Sequence, residues 1–276
     1  MVGGVSVPFI QILVLAVVKG ATEFLPISSS GHLILVPLFT GWPNPGLALD
    51  VAMHVGTLAA VLVYFWRDVG RMIVGLARLA TGRRDPGARL VWYLILGTLP
   101  ALAVGWFIEH YAGDALRRIE VVAWTMVAFA IVLWLADRFG LTILRLEHLR
   151  ASHALIIGIC QCLAFVPGTS RSGITMLAAR LLSFERPEAA RFSFLLSIPA
   201  ISATGIWEGL KLYRTGTPVL VHDAVLAAIL SGAVGIMAIA GLMAWLKRST
   251  FAPFVIYRLV FGAALLAIVY LQIPLR

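Results

Sequence analysis

Charge is what this sequence has least of. Asp, Glu, Lys and Arg make up 13% of its 276 residues, about half the share carried by a typical soluble domain. With 61% hydrophobic side chains and a mean hydropathy of +0.95, a water-soluble globule of this size is excluded. Cysteine is also scarce: Cys160 and Cys162 flank Gln161 in an apolar stretch. Without companions they make neither a metal site nor a redox pair, and both read as buried thiols. A basic amino-terminal segment is missing too. Met1 to Glu23 lacks the positive n-region of a secretory signal, and the polar run that follows leads into another apolar segment. No stretch between apolar runs is large enough to suggest a soluble partner.

What is present is a series of apolar runs. A spanning helix needs about 20 mostly apolar residues, and runs of suitable length lie near 50–66, 90–108, 121–136, 191–207, 223–246 and 254–275. Two further stretches, 8–40 and 154–183, are broken near their middles by "FLPISSSG" and "FVPGTSRSG". Each predicts two half-helices joined by an irregular turn, a re-entrant pair. A membrane tolerates irregular backbone only where protein buries it or a wet cavity solvates it, so both breaks are expected to face one internal site. The fold class is therefore an all-α integral membrane protein with six spanning helices and two re-entrant helix pairs.

The basic excess, 22 Lys and Arg against 13 Asp and Glu, follows the apolar runs rather than forming a patch, which argues against nucleic acid as a partner. Placing 67–89, 138–150 and 247–258 on one side gathers Arg67, Arg71, Arg78, Arg83, Arg84, Arg89, Arg138, Arg145, Arg150, Lys247, Arg248 and Arg258 there. The other side, 109–120 and 209–222, holds only Arg117, Arg118, Lys211 and Arg214. The positive-inside rule makes the first side cytoplasmic. Residues 1–150 and 151–276 each contain one broken segment followed by three spans, so the second repeat is expected upside down relative to the first. A short echo supports this: with Phe24 on Phe165 and Pro26 on Pro167, Ser28 falls on Thr169 and Ser29 on Ser170.

The breaks concentrate the polar chemistry. In "PGTSRSGIT", Arg171 is a buried charge that calls for a counter-anion. Its planar fork suits phosphate oxygens, and Ser170, Ser172, Thr175 and the amides opening the next half-helix complete an anion cradle. A plainer role is open to Arg171: pairing with Glu23 or Glu188 to fix the repeat interface. In "TEFLPISSSGHLIL", Ser28, Ser29 and Ser30 are candidate nucleophiles or phosphate ligands. His32 is a candidate general acid or base, and Glu23 could bind a divalent cation or activate a hydroxyl. The same serines could instead cap a half-helix, and His32 could be a core histidine. Asp50 and His54 share a helix face four residues apart. Their counterparts, Glu188 and Arg191, fall in "PEAARFSFLLSIPA". These four rank as supporting residues that could equally snorkel at a helix mouth.

At these blocks the chain resembles the undecaprenyl-diphosphate phosphatases of the bacitracin-resistance (BacA/UppP) type. "GATEFLPISSSGHLIL", "LDVAMHVGTLAAVLVYFWRD", "FVPGTSRSGITMLAARLL" and "PEAARFSFLLSIPA" carry the resemblance over nearly the whole chain, in the family's order. It implies a hydrolase of the bacterial cytoplasmic membrane, its site opening to the outer, periplasmic face. Such an enzyme removes the terminal phosphate of undecaprenyl diphosphate, recycling the lipid carrier of cell-wall synthesis and conferring bacitracin resistance. It also implies Glu23 as the essential glutamate, Ser29 as the nucleophile, His32 as the assisting histidine, and Ser170, Arg171 and Thr175 as the phosphate motif. Mg²⁺ or Ca²⁺ is implied at Glu23. Membrane lipid surrounds such a protein, and a homodimer is left open. One position departs: the family has Glu or Gln four residues before Glu23, where this chain has Lys19. A protonated lysine cannot ligate Mg²⁺, and at this spacing it can pair with Glu23. The competing function is a transporter or flippase of a phosphorylated polyprenyl lipid, because inverted repeats with broken helices also build carriers.

Overall fold

The computed structural model describes residues 7–43, 46–111, 118–215 and 221–271. They form eleven α-helices: α1 (Phe9–Phe24), α2 (Ser29–Thr40), α3 (Leu47–Tyr64), α4 (Trp66–Ala80), α5 (Pro86–Tyr111), α6 (Ile119–Phe139), α7 (Ala151–Gln161), α8 (Arg171–Leu181), α9 (Arg186–Thr215), α10 (Val221–Leu246) and α11 (Ala252–Tyr270). Six of these, α3, α5, α6, α9, α10 and α11, are long and apolar enough to cross a membrane. Each covers most of one of the apolar runs read from the sequence; α3 ends at Tyr64, short of the run to 66, and α11 ends at Tyr270, with the last four residues of the run to 275 outside the described residues. The chain is an all-α multi-pass membrane protein.

One helix was not foreseen. Residues 67–89 read as a connection because Arg67, Arg71, Arg78, Arg83, Arg84 and Arg89 interrupt the apolar signal. Instead, Asp68, Met72 and Gly75 recur at helical spacing along the buried face of α4, which packs on α5. Its turn into α5 is pinned by Asp85, which accepts from Arg78 Nη1 at 2.9 Å and from the Gly87 amide at 2.7 Å. The Arg78 guanidinium, followed by that amide, holds the Asp85 carboxyl below the usual carboxylate range.

Both broken stretches fold as helix, break, helix. α1 stops where Leu25 turns extended, and α7 continues through a 3₁₀ turn, Cys162–Phe165, before its break. Each following helix begins on a serine in the left-handed region, with φ of 76° at Ser28 and 73° at Ser170. Non-glycine residues rarely adopt that backbone. Here the serine hydroxyl offsets part of the strain by accepting the amide of Gly31 at 3.3 Å or of Gly173 at 3.1 Å.

The two caps show that the sequence echo slips by one residue. Ser28 is the counterpart of Ser170 rather than of Thr169, because the second break carries one more residue between its proline and its cap. The extra length is accommodated at Gly168. Its φ is +92°, and a Cβ there would lie 2.1 Å from Thr125 Oγ1 and 2.5 Å from the Val122 carbonyl. Arg171 therefore stands where the first break has Ser29.

In lipid, helices associate by close packing and interhelical hydrogen bonds rather than by expelling water. Small residues accordingly sit at the tightest crossings. A Cβ on Gly56 of α3 would meet the Ala228 carbonyl of α10 at 2.1 Å, and one on Gly158 of α7 would meet the Gly97 carbonyl of α5 at 2.3 Å. α1 packs on α10 in the same way, where a Cβ on Gly20 would meet the Ser231 carbonyl at 2.5 Å.

Arg258 holds the breaks from behind. Counted from the sequence as a cytoplasmic surface charge, it is instead 1% exposed. Nη1 donates to the carbonyls of Pro26 (3.2 Å) and Thr169 (2.9 Å), Nη2 to those of Gly168 (2.9 Å) and Thr125 (3.4 Å), and Nε to that of Met126 (3.2 Å). A rigid fork with five donors thus ties the irregular backbone of both breaks to α6. The neighbouring residue, Tyr257, places its hydroxyl 2.6 Å from His32 Nε2.

Candidate active site

A cavity of about 220 Å³ lies where the breaks meet. Lys19, Glu23, Ser29 and Ser30 line it from the first broken stretch, and Gln161, Ala164, Phe165, Ser170 and Arg171 from the second. His54 of α3, Thr98, Ala101 and Leu102 of α5, and Ala200, Ile201 and Thr204 of α9 close its sides. The charged groups come from α1 and the second break, while α5 and α9 contribute mostly apolar side chains beside Thr98 and Thr204.

Glu23 is the hub. Its side chain is 8% exposed, and it is shared by three donors from three places. Ser29 Oγ donates to Oε2 at 3.0 Å, Lys19 Nζ lies 3.0 Å from the same oxygen, and Arg171 Nη2 donates to Oε1 at 3.0 Å. Buried charge is costly unless paired and hydrogen-bonded, and this carboxylate is both. It links the two breaks across a sequence separation of 148 residues. Ser172 adds a second tie, its hydroxyl donating to the Leu25 carbonyl at 3.2 Å.

Lys19 is oriented in turn by His54, whose Nε2 lies 3.0 Å from Nζ. On the other side of that ring, Nδ1 faces two acceptors, the Asp50 carbonyl at 2.9 Å and Glu208 Oε2 at 3.4 Å. Nδ1 therefore carries the proton and Nε2 accepts from the lysine. Asp50 contributes to this relay through its backbone. Neither His54's partner Glu208 nor Lys19's place in the relay was signalled by the sequence, because Glu208 lies in an unremarkable part of α9.

Two residues that line the cavity, Gln161 and Arg171, carry buried polar atoms that no described residue meets. Gln161 is 2% exposed; its amide nitrogen and oxygen, and Arg171 Nη1, have no hydrogen-bond partner among the described residues. Buried polar groups are rarely left this way in a folded protein. Two unmet donors beside a cationic side chain suit an oxyanion ligand. The sequence offered Gln161 only as the residue between two cysteines.

Other predicted residues are placed elsewhere. His32 does not line the cavity: Nδ1 lies 2.6 Å from the Ser28 carbonyl, Nε2 meets Tyr257, and the ring stacks on Tyr257 and Phe261. It braces the strained turn at Ser28. Ser28 acts as a cap outside the cavity, whereas Ser170 caps α8 and lines the cavity as well. Thr175 is fully buried, with Oγ1 2.6 Å from Ser193 Oγ of α9. Glu188 and Arg191 form a separate cluster, where Arg191 pairs with Asp68 of α4 and Glu188 accepts the Leu146 amide at 3.2 Å. That cluster anchors α9 to α4 and lines no part of the cavity.

The divalent ion implied at Glu23 can be tested against these donors. Mg²⁺ and Ca²⁺ need several oxygen ligands. Among the described residues no group of three or more His, Cys, Asp or Glu side chains comes together, and both Glu23 oxygens already serve cations, the Lys19 ammonium on Oε2 and the Arg171 guanidinium on Oε1, each at 3.0 Å. The residues present do not fit a divalent ion.

Comparison with known proteins agrees with the geometry. Residues 12–264 match the family described as Bacitracin resistance protein BacA. The chain is 50% identical over 269 residues to undecaprenyl-diphosphatase 1 of Rhodospirillum rubrum, covering 95% of both chains. It is 47% identical to the undecaprenyl-diphosphatase of Jannaschia sp. and 45% identical to that of Ruegeria pomeroyi, in each case covering 94% of this chain and 98% of the relative. This chain belongs to the BacA family of bacitracin resistance proteins.

Proposed function

We propose that this protein hydrolyses undecaprenyl diphosphate to undecaprenyl phosphate and inorganic phosphate, recycling the lipid carrier. The observation that carries the reading is Glu23, which holds the Ser29 hydroxyl on one oxygen and the Arg171 guanidinium on the other. A carrier needs the arginine but has no use for a hydroxyl hydrogen-bonded to a base. In this mechanism Arg171 Nη1 and the Gln161 amide nitrogen bind the diphosphate oxygens. Ser29 Oγ attacks the terminal phosphorus while its proton passes to Glu23. The bond from that phosphorus to the bridging oxygen breaks, and undecaprenyl phosphate leaves with the electron pair. Water then attacks the phosphoserine, the bond from phosphorus to Ser29 Oγ breaks, Glu23 returns its proton to that oxygen, and the water's two protons leave with the inorganic phosphate. The leaving group is a phosphate whose second pKa is about 6, so it departs as an anion. Charge neutralisation rather than a general acid is what the step requires.

The apolar walls from α5 and α9 suit the polyprenyl chain next to the headgroup. The protein is proposed to sit in the bacterial cytoplasmic membrane with the cavity opening outward. Of the twelve basic residues assigned inside, the eleven other than Arg258 are all exposed, as the positive-inside rule requires. An inverted repeat, with α1–α2 and α7–α8 re-entrant, is supported by paired contacts: α1 packs on α10 as α7 packs on α5, and α3 packs on α10 as α9 packs on α5.

The test is a rapid acid quench of the purified protein turning over undecaprenyl diphosphate, followed by peptide mass spectrometry. A phosphoserine at position 29, absent from Ser29→Ala, is the expected result. Full turnover by Ser29→Ala would remove Ser29 from the chemistry.

A further inference from the structure

The donors at Glu23 raise a question that the proposed chemistry leaves open: what neutralises the diphosphate in a site that does not fit a divalent ion. Lys19 answers it. Its side chain is 8% exposed, its ammonium is 3.0 Å from Glu23 Oε2, and it lines the same cavity as Arg171 and Ser29. Salt-bridged and held by the His54 ring, it is a fixed charge rather than a snorkelling one.

Lys19, Glu23 and Arg171 together carry a net formal charge of +1. With a glutamate at position 19 the same three positions would carry −1, and a bound divalent ion would return them to +1. The lysine brings the site to the same charge by a covalently attached cation. That position cannot serve two cations at once, because a divalent ion at Glu23 Oε2 would face an ammonium across a few ångströms of low-dielectric interior.

We propose that Lys19 is the built-in cation of this active site, so that diphosphate binding and hydrolysis proceed here without a divalent metal. The inference rests on the phosphatase reading above. Lys19 binds the terminal phosphate beside Glu23, while Arg171 holds the other face of the diphosphate. His54 is the positioning residue that aims Lys19.

The experiment has two arms that separate this inference from the reading it rests on. In the first, phosphate release from undecaprenyl diphosphate is measured in detergent with excess EDTA and with Mg²⁺, for the parent, Lys19→Glu and Lys19→Met. The parent is expected to keep its rate within about twofold in EDTA. Lys19→Met should fall by ~100-fold in both conditions, the scale of losing one fixed charge on a phosphoryl group. Lys19→Glu should be equally slow in EDTA and regain at least tenfold with Mg²⁺. In the second arm Mn²⁺ binding is followed by electron paramagnetic resonance, with no substrate present. The parent should bind none at the site, whereas Lys19→Glu should bind one ion, lost again when Glu23→Gln is added. A parent that stops in EDTA, or that binds Mn²⁺ in a manner abolished by Glu23→Gln, overturns the inference while leaving the phosphatase intact. No phosphate release in any condition would instead sink the phosphatase reading, and the Mn²⁺ arm would still decide whether Lys19 excludes the metal.

Discussion

Replacing Arg258 by methionine tests how the irregular backbone of both breaks is held. Three of its acceptors, the carbonyls of Pro26, Gly168 and Thr169, lie in the breaks, at 3.2, 2.9 and 2.9 Å. The other two, on Thr125 and Met126, belong to α6. A hydrogen bond from a charged donor contributes about 1.5–3 kcal/mol, and a buried carbonyl left unmet costs about 1–3 kcal/mol. Methionine fills similar space and relieves the burial of a charge, which offsets part of the loss, so the three break carbonyls set the balance at about 3–5 kcal/mol. Unfolding in mixed detergent, followed by tryptophan fluorescence with midpoint and slope both fitted, reads this directly. Arg258→Lys should recover a minority of it, since an ammonium offers three donors at one point instead of a fork spanning both breaks. Phosphate release should fall with stability, because Ser29 and Arg171 each start a helix at a break that Arg258 pins. If Arg258→Met unfolds within about 1 kcal/mol of the parent, the breaks are held by something else and the clamp is wrong.

Three other outcomes follow from the same structure. Glu23→Gln keeps the shape but removes the base and the negative charge that Lys19 and Arg171 share; phosphate release should drop by roughly 10²–10⁴-fold, with the protein still eluting as a folded species. Gly168→Ala should destabilise by about 2–4 kcal/mol, since its Cβ meets Thr125 Oγ1 at 2.1 Å on a residue with φ of +92°; equal melting of the two proteins would contradict the assigned backbone. At the α4–α5 turn, the Asp85 carboxyl is held below its ordinary value by Arg78 and the Gly87 amide. Its contribution is therefore present above the ordinary carboxylate range and lost as pH falls through the lowered value. Hydrogen exchange across residues 79–90 should be faster in Asp85→Asn than in the parent at pH 7, with the difference vanishing in acid; a difference that persists there would remove Asp85 as its source.

Sequence reading reached the parts of this molecule that depend on composition. Each of the six runs overlaps an observed helix over most of its length, because about 20 apolar residues in a row have few alternatives in lipid. The breaks were legible because Pro, Gly and serine cannot continue a helix without help, and the helix–break–helix course of both stretches follows. α4 was hidden from a reading for unbroken apolar runs, which Arg67, Arg71 and Arg78 interrupt, although its apolar residues recur at helical spacing along one side. The echo's one-residue slip was invisible to alignment because the proline and phenylalanine that anchor it precede the extra residue at Gly168. Arg258 reads as a loop cation next to Lys247 and Arg248, and nothing local distinguishes a side chain that reaches five carbonyls from one that reaches water. His32 sits beside the serines in sequence, yet the helix turns its ring onto Tyr257 and Phe261. Glu23, Ser29 and Arg171, named from the two breaks, lie within hydrogen-bond distance of one another through Glu23, and the Glu23–Arg171 pair is the one the sequence offered as the plainer role of that arginine. Lys19 was read as a departure able to pair with Glu23, which it does at 3.0 Å; its further contact with His54 depends on α3 packing beside it and leaves no local trace.

The most direct test of the central claim uses undecaprenyl diphosphate carrying ³²P in its terminal phosphate, given to the purified protein and to Arg171→Ala. The account predicts labelled inorganic phosphate in equal amount to unlabelled undecaprenyl phosphate from the parent, and a release at least 10²-fold slower from Arg171→Ala. Label that stays in the lipid diphosphate, with the parent binding it but never cleaving it, would contradict the account and point to a carrier.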